Sequence, residues 1–220
     1  MVTMTPTDRP DHPHAGQPVM RSGPAPGDAR LVAILLHGRG ASAEDILGLA
    51  QRFSATDIAY VAPQAARSTW YPYSFLEPID RNEPWLGSAL RVITELVEDL
   101  RQQGVSSDRL VLMGFSQGAC LALEFAARHA QRYAAVVAFS GGLIGPPGTP
   151  RNYAGGFGDT PVFIGCSDTD GHIPVERVRE SGLVFRRMDA NVDERIYPRM
   201  GHTIIADEIE AVDVLLAARM

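Results

Sequence analysis

The pentapeptide Gly114-Phe115-Ser116-Gln117-Gly118 contains the residue types best suited to chemistry in this chain. It follows the apolar run RLVLM and opens the helical pattern QGACLALEF, so it predicts a sharp turn from a strand into a helix. The two glycines let strand and helix approach closely, and the turn exposes the Ser116 hydroxyl at the carboxyl edge of a sheet. Because the pentapeptide alone is common by chance, its place between a strand and a helix is what favours a nucleophile over a solvated serine.

A serine hydroxyl is a weak nucleophile until a base takes its proton, so a histidine is needed at another strand end. His202 is the candidate, because it lies in a loop between the last predicted strand and the last predicted helix. The base in turn needs a carboxylate to hold its ring, and Asp168 and Asp170 both follow the fifth core strand. The order serine, aspartate, histidine is that of the α/β-hydrolase arrangement. These residues alone leave the choice between Asp168 and Asp170 open.

A glycine-containing turn, LHGRG at 36–40, comes directly after the first core strand. Attack on an ester carbonyl puts negative charge on its oxygen, and fixed backbone N–H groups at that point stabilise the charge. The N–H groups of Arg39 and Gln117 are the candidate oxyanion donors. The guanidinium of Arg39 is a separate matter, since most such side chains are solvated.

An aromatic, proline-punctuated stretch at 68–85 (STWYPYSFLEPIDRNEPW) fits neither a helical nor a strand pattern. Long irregular loops in compact domains are usually functional, and apolar rings are typical of ligand pockets. We therefore expect a substrate pocket lined by residues of this loop, by one residue after the FSGG turn at 139–142 and by one beside His202: Trp70, Tyr71, Phe75, Leu76, Leu143 and Met200.

Short apolar runs alternate with stretches of helical period from Leu31 onward, which predicts an α/β fold. The first five runs are apolar throughout, as strands covered on both faces should be, so the expected architecture is a mostly parallel central sheet with helices on both sides. The predicted strands are 31–36, 57–62, 109–114, 134–139, 161–165 and 192–197. The predicted helices are 42–53, 87–104, 117–130, 174–188 and 207–220.

Composition narrows the classes of function. The chain has 220 residues, of which 45% are hydrophobic and 21% charged, as in an ordinary globular protein. A net charge of −6 leaves no broad basic field, so we expect neither a nucleic-acid partner nor stable membrane anchoring. All 20 basic residues are arginine, which excludes Schiff-base chemistry on a lysine.

Two cysteines, and no apolar run of signal-peptide length near the start, indicate a cytoplasmic protein. No metal is expected, because the histidines and aspartates lack the spacing of metal ligands. Residues 1–22, rich in proline, glycine and charge, predict a flexible N-terminal tail. Residues 23–220 then form a single domain.

The linked motifs LLHGRG, APQ, GFSQGA, FSGG, DGHIP and YPRMGH, with the Trp70 loop, occur in the order found in the phospholipase/carboxylesterase family, the relatives of acyl-protein thioesterases. The chain resembles that family over about residues 31–217. The resemblance implies an α/β-hydrolase fold and a cofactor-free serine esterase acting on a small or lipid-like ester. It also implies a triad of Ser116, Asp170 and His202, with the N–H groups of Arg39 and Gln117 at the oxyanion.

Two departures from the family pattern concern the site. Ala41-Ser42 stands where the family usually has an acidic residue after the glycine turn. Asp168 keeps the family's distance from Gly165, whereas Asp170 keeps its distance to Pro174. We favour Asp170, because Asp-Gly-His-Ile-Pro preserves the turn into the next helix.

Two other classes of function are weighed against the hydrolase. The segment 38–43 (GRGASA) matches GxGxxA between a strand and a helix, and Asp57 lies near the offset for a ribose contact, as in a dinucleotide-binding domain. That interpretation leaves Ser116, the paired aspartates and His202 unexplained. A catalytically inactive hydrolase domain that recruits a partner predicts the loss of a triad residue, and the sequence retains all three types.

Overall fold

The apolar runs form one seven-stranded sheet in the computed structural model, which describes residues 11–218. Its strands are β1 (Val19–Ser22), β2 (Leu31–Leu36), β3 (Ile58–Pro63), β4 (Leu110–Phe115), β5 (Ala135–Phe139), β6 (Pro161–Ser167) and β7 (Asn191–Tyr197). Their spatial order is β1-β3-β2-β4-β5-β6-β7. All neighbours pair in parallel except β1, which runs antiparallel to β3 at the edge. The predicted mostly parallel sheet is confirmed.

Within residues 11–218 there are five α-helices, four between strands and one after β7. They are α1 (Ala43–Leu47), α2 (Trp85–Gln102), α3 (Gln117–Arg128), α4 (Val175–Arg187) and α5 (Ala206–Ala217). The first is shorter than the predicted helix over 42–53, because a 3-10 segment, Gly48–Arg52, replaces its second half. Its start agrees with the sequence, since Ser42 and Asp45 form a reciprocal capping box.

Helices cover the sheet on both faces, as the uniformly apolar strands require. Along β2 alternate side chains point to opposite sides: Val32, Ile34 and Leu36 pack in one buried cluster with residues of α2, α3 and α4. Leu31, Ala33 and Leu35 pack in the other, with residues of α1 and α5. Because β2 to β7 run in the same direction, their carboxyl ends lie along one edge of the sheet, where the candidate site residues are found.

The N-terminal segment differs from the expected tail over residues 11–22. Four of these residues form β1, and two histidine side chains, His12 and His14, are 5% and 1% exposed. The physical reason is that this segment is held by backbone pairing at the sheet edge and by polar side-chain contacts, neither of which requires an apolar run. Residues 1–10 lie outside the described part of the chain.

No helix in the described part of the chain combines the length and apolar character needed to cross a bilayer.

Candidate active site

Ser116 occupies the turn between β4 and α3. Its φ of 55° and ψ of −119° lie in a region that residues with a side chain rarely adopt, at a cost of about 1–3 kcal/mol. The turn is possible because a Cβ at Gly114 would overlap the backbone of Gly118, and one at Gly118 would overlap the carbonyl of Leu36. The glycines are thus required by close approach, and Ser116 is presented at the carboxyl edge of the sheet.

His202 reaches Ser116 from the loop between β7 and α5. Its Nε2 lies 2.8 Å from the Ser116 Oγ. The side chain is 21% exposed, and its ring packs against that of Phe115 with centroids 5.0 Å apart. β7 is the edge strand, three positions away from β4, so the loop after β7 has to bring this ring back toward Ser116.

Asp170, in the loop after β6, holds the other ring nitrogen. Its Oδ2 lies 2.7 Å from His202 Nδ1, and its side chain is fully buried. Burial raises the pKa of the carboxyl, but hydrogen bonds from His202 and from the N–H groups of His172 and Ile173 outweigh burial and bring the pKa below its ordinary value. The carboxylate is therefore ionised at neutral pH and accepts Nδ1–H, which leaves Nε2 to accept the hydroxyl proton of Ser116.

The alternative acid, Asp168, is placed elsewhere. It is exposed, and its Oδ1 accepts the backbone N–H of Arg199 at 2.7 Å. Of the two aspartates that the sequence leaves open, the structure brings Asp170 to His202.

The two candidate oxyanion donors flank Ser116. Gln117 is the first residue of α3, where a backbone N–H has no partner within the helix. Arg39 lies in the turn after β2, and a Cβ on the preceding Gly38 would lie 3.6 Å from the Cβ of Ser116, so this turn passes directly beside the serine. The Arg39 guanidinium donates to the carbonyls of Pro72 and Tyr73 at 2.8 and 2.7 Å, so it fastens the aromatic loop to the turn.

A cavity of about 460 Å³ opens over Ser116. Its walls combine the reacting residues with the aromatic loop and the segment after Asp170. The lining residues are Gly38, Arg39, Ala41, Tyr71, Pro72, Tyr73, Ser74, Phe75, Phe115, Ser116, Gln117, Cys120, His172, Ile173 and His202. Ser116 and both candidate donor residues, Arg39 and Gln117, thus line the same cavity.

Among the residues expected to bind substrate, Tyr71 and Phe75 line this cavity. The lining of this cavity does not include Trp70, Leu76, Leu143 or Met200.

Each of these four residues makes other contacts. Trp70 is fully buried, with its indole N–H bonded to the carbonyl of His37, and Leu143 is fully buried in the core. Leu76 packs against the core as a half-buried residue. The backbone N–H of Met200 donates to Ser167 Oγ, which holds the loop that precedes His202.

His172 is the cavity residue that sequence reasoning missed most conspicuously. Its ring centroid lies 4.7 Å from that of His202, and its backbone N–H helps to hold Asp170. The available signal was its position two residues after Asp170 in the DGHIP motif. Tyr73, which the aromatic loop also contains, is 47% exposed at the cavity wall.

The thiols and the remaining polar clusters give no competing nucleophile or metal centre in the described residues. Burial raises the pKa of Cys120 to about 12 and that of Cys166 to about 12, so both are neutral thiols at physiological pH. No group of three or more His, Cys, Asp or Glu side chains between residues 11 and 218 is arranged to hold a metal ion. Asp57, the candidate ribose ligand, is in an ion pair with Arg30 at 2.6 Å.

A seven-stranded, mostly parallel sheet with helices on both faces and a serine at the turn after its central strand is the α/β-hydrolase fold. The family model described as Phospholipase/Carboxylesterase matches residues 24–219. The chain belongs to this family, and the resemblance seen in its motifs is confirmed.

Solved structures agree with that membership. A phospholipase/carboxylesterase from Dyadobacter fermentans is 41% identical, with a TM-score of 0.89 over 92% of this chain and 97% of that protein. Esterase PE8 is 25% identical, with a TM-score of 0.77 over 93% of this chain and 98% of that protein. Acyl-protein thioesterase 1 of Saccharomyces cerevisiae is 27% identical over 126 residues, which are 56% of this chain and 55% of that protein. The chain thus spans about half the length of this curated relative.

Proposed function

We propose that the protein hydrolyses carboxylic esters or thioesters in two acyl-transfer steps, with Ser116 as nucleophile, His202 as general base and Asp170 as the carboxylate that orients it. One observation carries the proposal: the continuous set of hydrogen bonds from Ser116 Oγ to His202 Nε2 at 2.8 Å and from Nδ1 to Asp170 at 2.7 Å. This is the arrangement by which a neutral hydroxyl is activated near neutral pH.

In the first step Ser116 Oγ attacks the ester carbonyl while its proton passes to His202 Nε2. The charge that forms on the carbonyl oxygen is stabilised by the N–H groups of Arg39 and Gln117. The imidazolium, held by Asp170, then gives its proton to the departing alcohol or thiol, and an acyl-enzyme remains. In the second step water attacks the acyl-enzyme with the same base, and Ser116 is released with the carboxylic acid.

The substrate class is a small or lipid-like ester, as for a carboxylesterase or a lysophospholipase. The cavity of about 460 Å³ is large enough for a ligand of modest size, and Tyr71, Tyr73 and Phe75 give it apolar walls. Hydrolysis of thioesters is chemically equivalent, because the same tetrahedral charge has to be stabilised.

We also propose that the protein acts in the cytoplasm without a stable membrane anchor. The two cysteines, Cys120 and Cys166, are buried free thiols, as is usual in a reducing compartment.

The experiment that tests the proposed nucleophile compares Ser116→Ala with Ser54→Ala, a matched removal of an exposed hydroxyl remote from the site. Ser116→Ala is expected to lower kcat on p-nitrophenyl esters by about 10⁴ to 10⁶, by analogy with other triad deletions. Ser54→Ala is expected to keep the wild-type rate. If Ser116→Ala retains more than about a tenth of the rate, the serine mechanism is wrong.

A further inference from the structure

Trp70 connects the two segments that carry the proposed oxyanion donors. Its backbone N–H donates to Gln117 Oε1 at 2.9 Å, and its indole N–H donates to the carbonyl of His37 at 2.9 Å. Gln117 supplies one donor, and His37 stands two residues before Arg39, which supplies the other. A single, fully buried residue therefore contacts both segments, through its backbone N–H on one side and its indole N–H on the other.

The Gln117 side chain completes this connection. Its Nε2 donates to the carbonyl of Tyr71 at 2.8 Å, while its Oε1 accepts from Trp70. The amide is thus held at both ends by consecutive residues of the loop. Movement of Trp70 would shift the residue whose backbone N–H faces the reacting carbonyl.

Trp70 is in turn held by His14, from the N-terminal segment. The ring of His14 accepts the N–H of Ala66 at Nδ1 and donates from Nε2 to the carbonyl of Trp70, both at 3.0 Å. These two bonds require the neutral ring in one tautomer. Burial lowers the pKa of His14, and the bond to the carbonyl of Trp70 opposes this only in part. Because the pKa is lowered, the ring is neutral at physiological pH.

The segment that carries His14 is fixed to α2 by Ser88. The Ser88 Oγ lies 2.6 Å from His12 Nδ1 and accepts the backbone N–H of His14 at 3.0 Å. The match to the family model begins at residue 24, so this support comes from residues that precede the match.

We propose that Trp70 is a positioning residue for the oxyanion site, and that His14 holds it in place from the N-terminal segment. The inference rests on the proposed serine esterase function. Backbone N–H groups stabilise an oxyanion only while they are fixed in direction, and loss of one such donor costs about 10² to 10³ in rate. Loosening one of these donors without removing it is expected to cost about tenfold.

The first test replaces Trp70 by Phe, which keeps a buried ring but removes the indole donor. Tyr133→Phe is the control, because it also removes the polar group of a buried aromatic side chain. Tyr133 lies just before β5, and its hydroxyl donates to the carbonyl of His129 at 2.8 Å and accepts from Gln131 Nε2 at 3.1 Å. Trp70→Phe is expected to lower kcat for p-nitrophenyl acetate about tenfold with KM unchanged. Tyr133→Phe is expected to change neither constant.

A second pair of variants tests His14. His14→Leu removes both ring bonds and is expected to lower kcat about tenfold, whereas His14→Gln, whose amide retains a donor for the carbonyl of Trp70, is expected to recover part of the loss. His129→Leu is the control for loss of a histidine, since that ring lies at the end of α3, stacked on Phe125. These variants decide the question by themselves if Trp70→Phe does not fold.

The readout specific to the oxyanion is the affinity of an alkyl trifluoromethyl ketone, whose adduct with serine carries a charged oxygen in the same place. The inhibition constant is expected to rise about tenfold in Trp70→Phe and His14→Leu, in parallel with the fall in kcat/KM. The inference is overturned if kcat/KM falls no further in Trp70→Phe and His14→Leu than in the controls Tyr133→Phe and His129→Leu. It is also overturned if kcat/KM falls while the affinity for the ketone is unchanged. Absence of ester hydrolysis in the wild-type protein would instead contradict the proposed function.

Discussion

The candidate triad and the aromatic loop form two parts of the wall of one cavity, and they are built in different ways. Ser116, Asp170 and His202 stand at or soon after the ends of three parallel strands, so the sheet brings the turns and loops that carry them to one edge. The loop at 68–85 has no such frame, and long-range hydrogen bonds decide which of its side chains face the cavity. The ends of parallel strands therefore indicate the candidate triad more strongly than the composition of a loop indicates which residues line a pocket.

The largest expected effect on the reacting wall, besides loss of the serine, comes from the carboxylate. Asp170→Asn is expected to lower kcat by about 10⁴, because an amide facing Nδ1 favours the wrong histidine tautomer. Asp168→Asn is the matched control and is expected to stay near the wild-type rate, since an amide oxygen can still accept the N–H of Arg199. Steady-state kinetics on one ester measures both. Similar effects of the two substitutions would contradict the assignment of Asp170.

A smaller effect, on selectivity, is expected from the loop wall. Tyr73 lines the cavity and is 47% exposed, so Tyr73→Ala enlarges the cavity with little loss of stability and should shift the optimum among p-nitrophenyl esters toward longer acyl chains by several-fold in kcat/KM. Leu76→Ala, three residues away but outside the cavity, should leave the chain-length profile unchanged. A shift in Leu76→Ala and none in Tyr73→Ala would overturn the assignment of this wall.

The smallest expected effect is on stability and concerns Glu208, which holds the loop of His202. Its Oε2 accepts the N–H of Ile205 at 3.0 Å, its Oε1 is buried without a hydrogen-bond partner, and burial raises its pKa to about 7. The folded state therefore keeps a proton that the unfolded state releases above the ordinary value of 4.5. The free energy of unfolding should fall as pH rises from 4.5 to about 7, by up to a few kcal/mol.

Urea unfolding at about pH 5 and about pH 8 measures this dependence. Glu208→Gln cannot titrate and should lose less stability over this range than the wild-type protein. Glu210→Gln, an exposed neighbour on the same helix, is the control and should follow the wild type. Equal pH dependence in Glu208→Gln and the wild type would contradict the raised pKa.

Much of the fold could be predicted from the sequence, because strands covered on both faces are apolar throughout and stand out from the amphipathic helices. The same strands placed Ser116 and His202 at one edge. The choice between Asp168 and Asp170 could not be made from spacing, because it depends on which carboxylate the loop after β6 turns inward. Asp170 is held inward because its Oδ1 accepts hydrogen bonds from the backbone N–H groups of His172 and Ile173.

The role of the N-terminal segment could not be predicted from hydropathy. The segment is held by pairing of β1 with β3 and by the polar contacts of His12 and His14, and none of these forces leaves an apolar pattern. Trp70 illustrates the same limit: its aromatic character indicated a substrate contact, whereas its indole N–H bonds to the carbonyl of His37 inside the protein.

The most direct test of the central claim is to label the protein with a fluorophosphonate and locate the adduct after digestion with trypsin. Cleavage at arginine releases residues 110–128 as one peptide, in which Ser116 is the only serine or threonine. We predict a single adduct on Ser116 and its loss in His202→Gln, because the hydroxyl reacts only when the imidazole takes its proton. An adduct on another peptide, or labelling of Ser116 that survives His202→Gln undiminished, would contradict it.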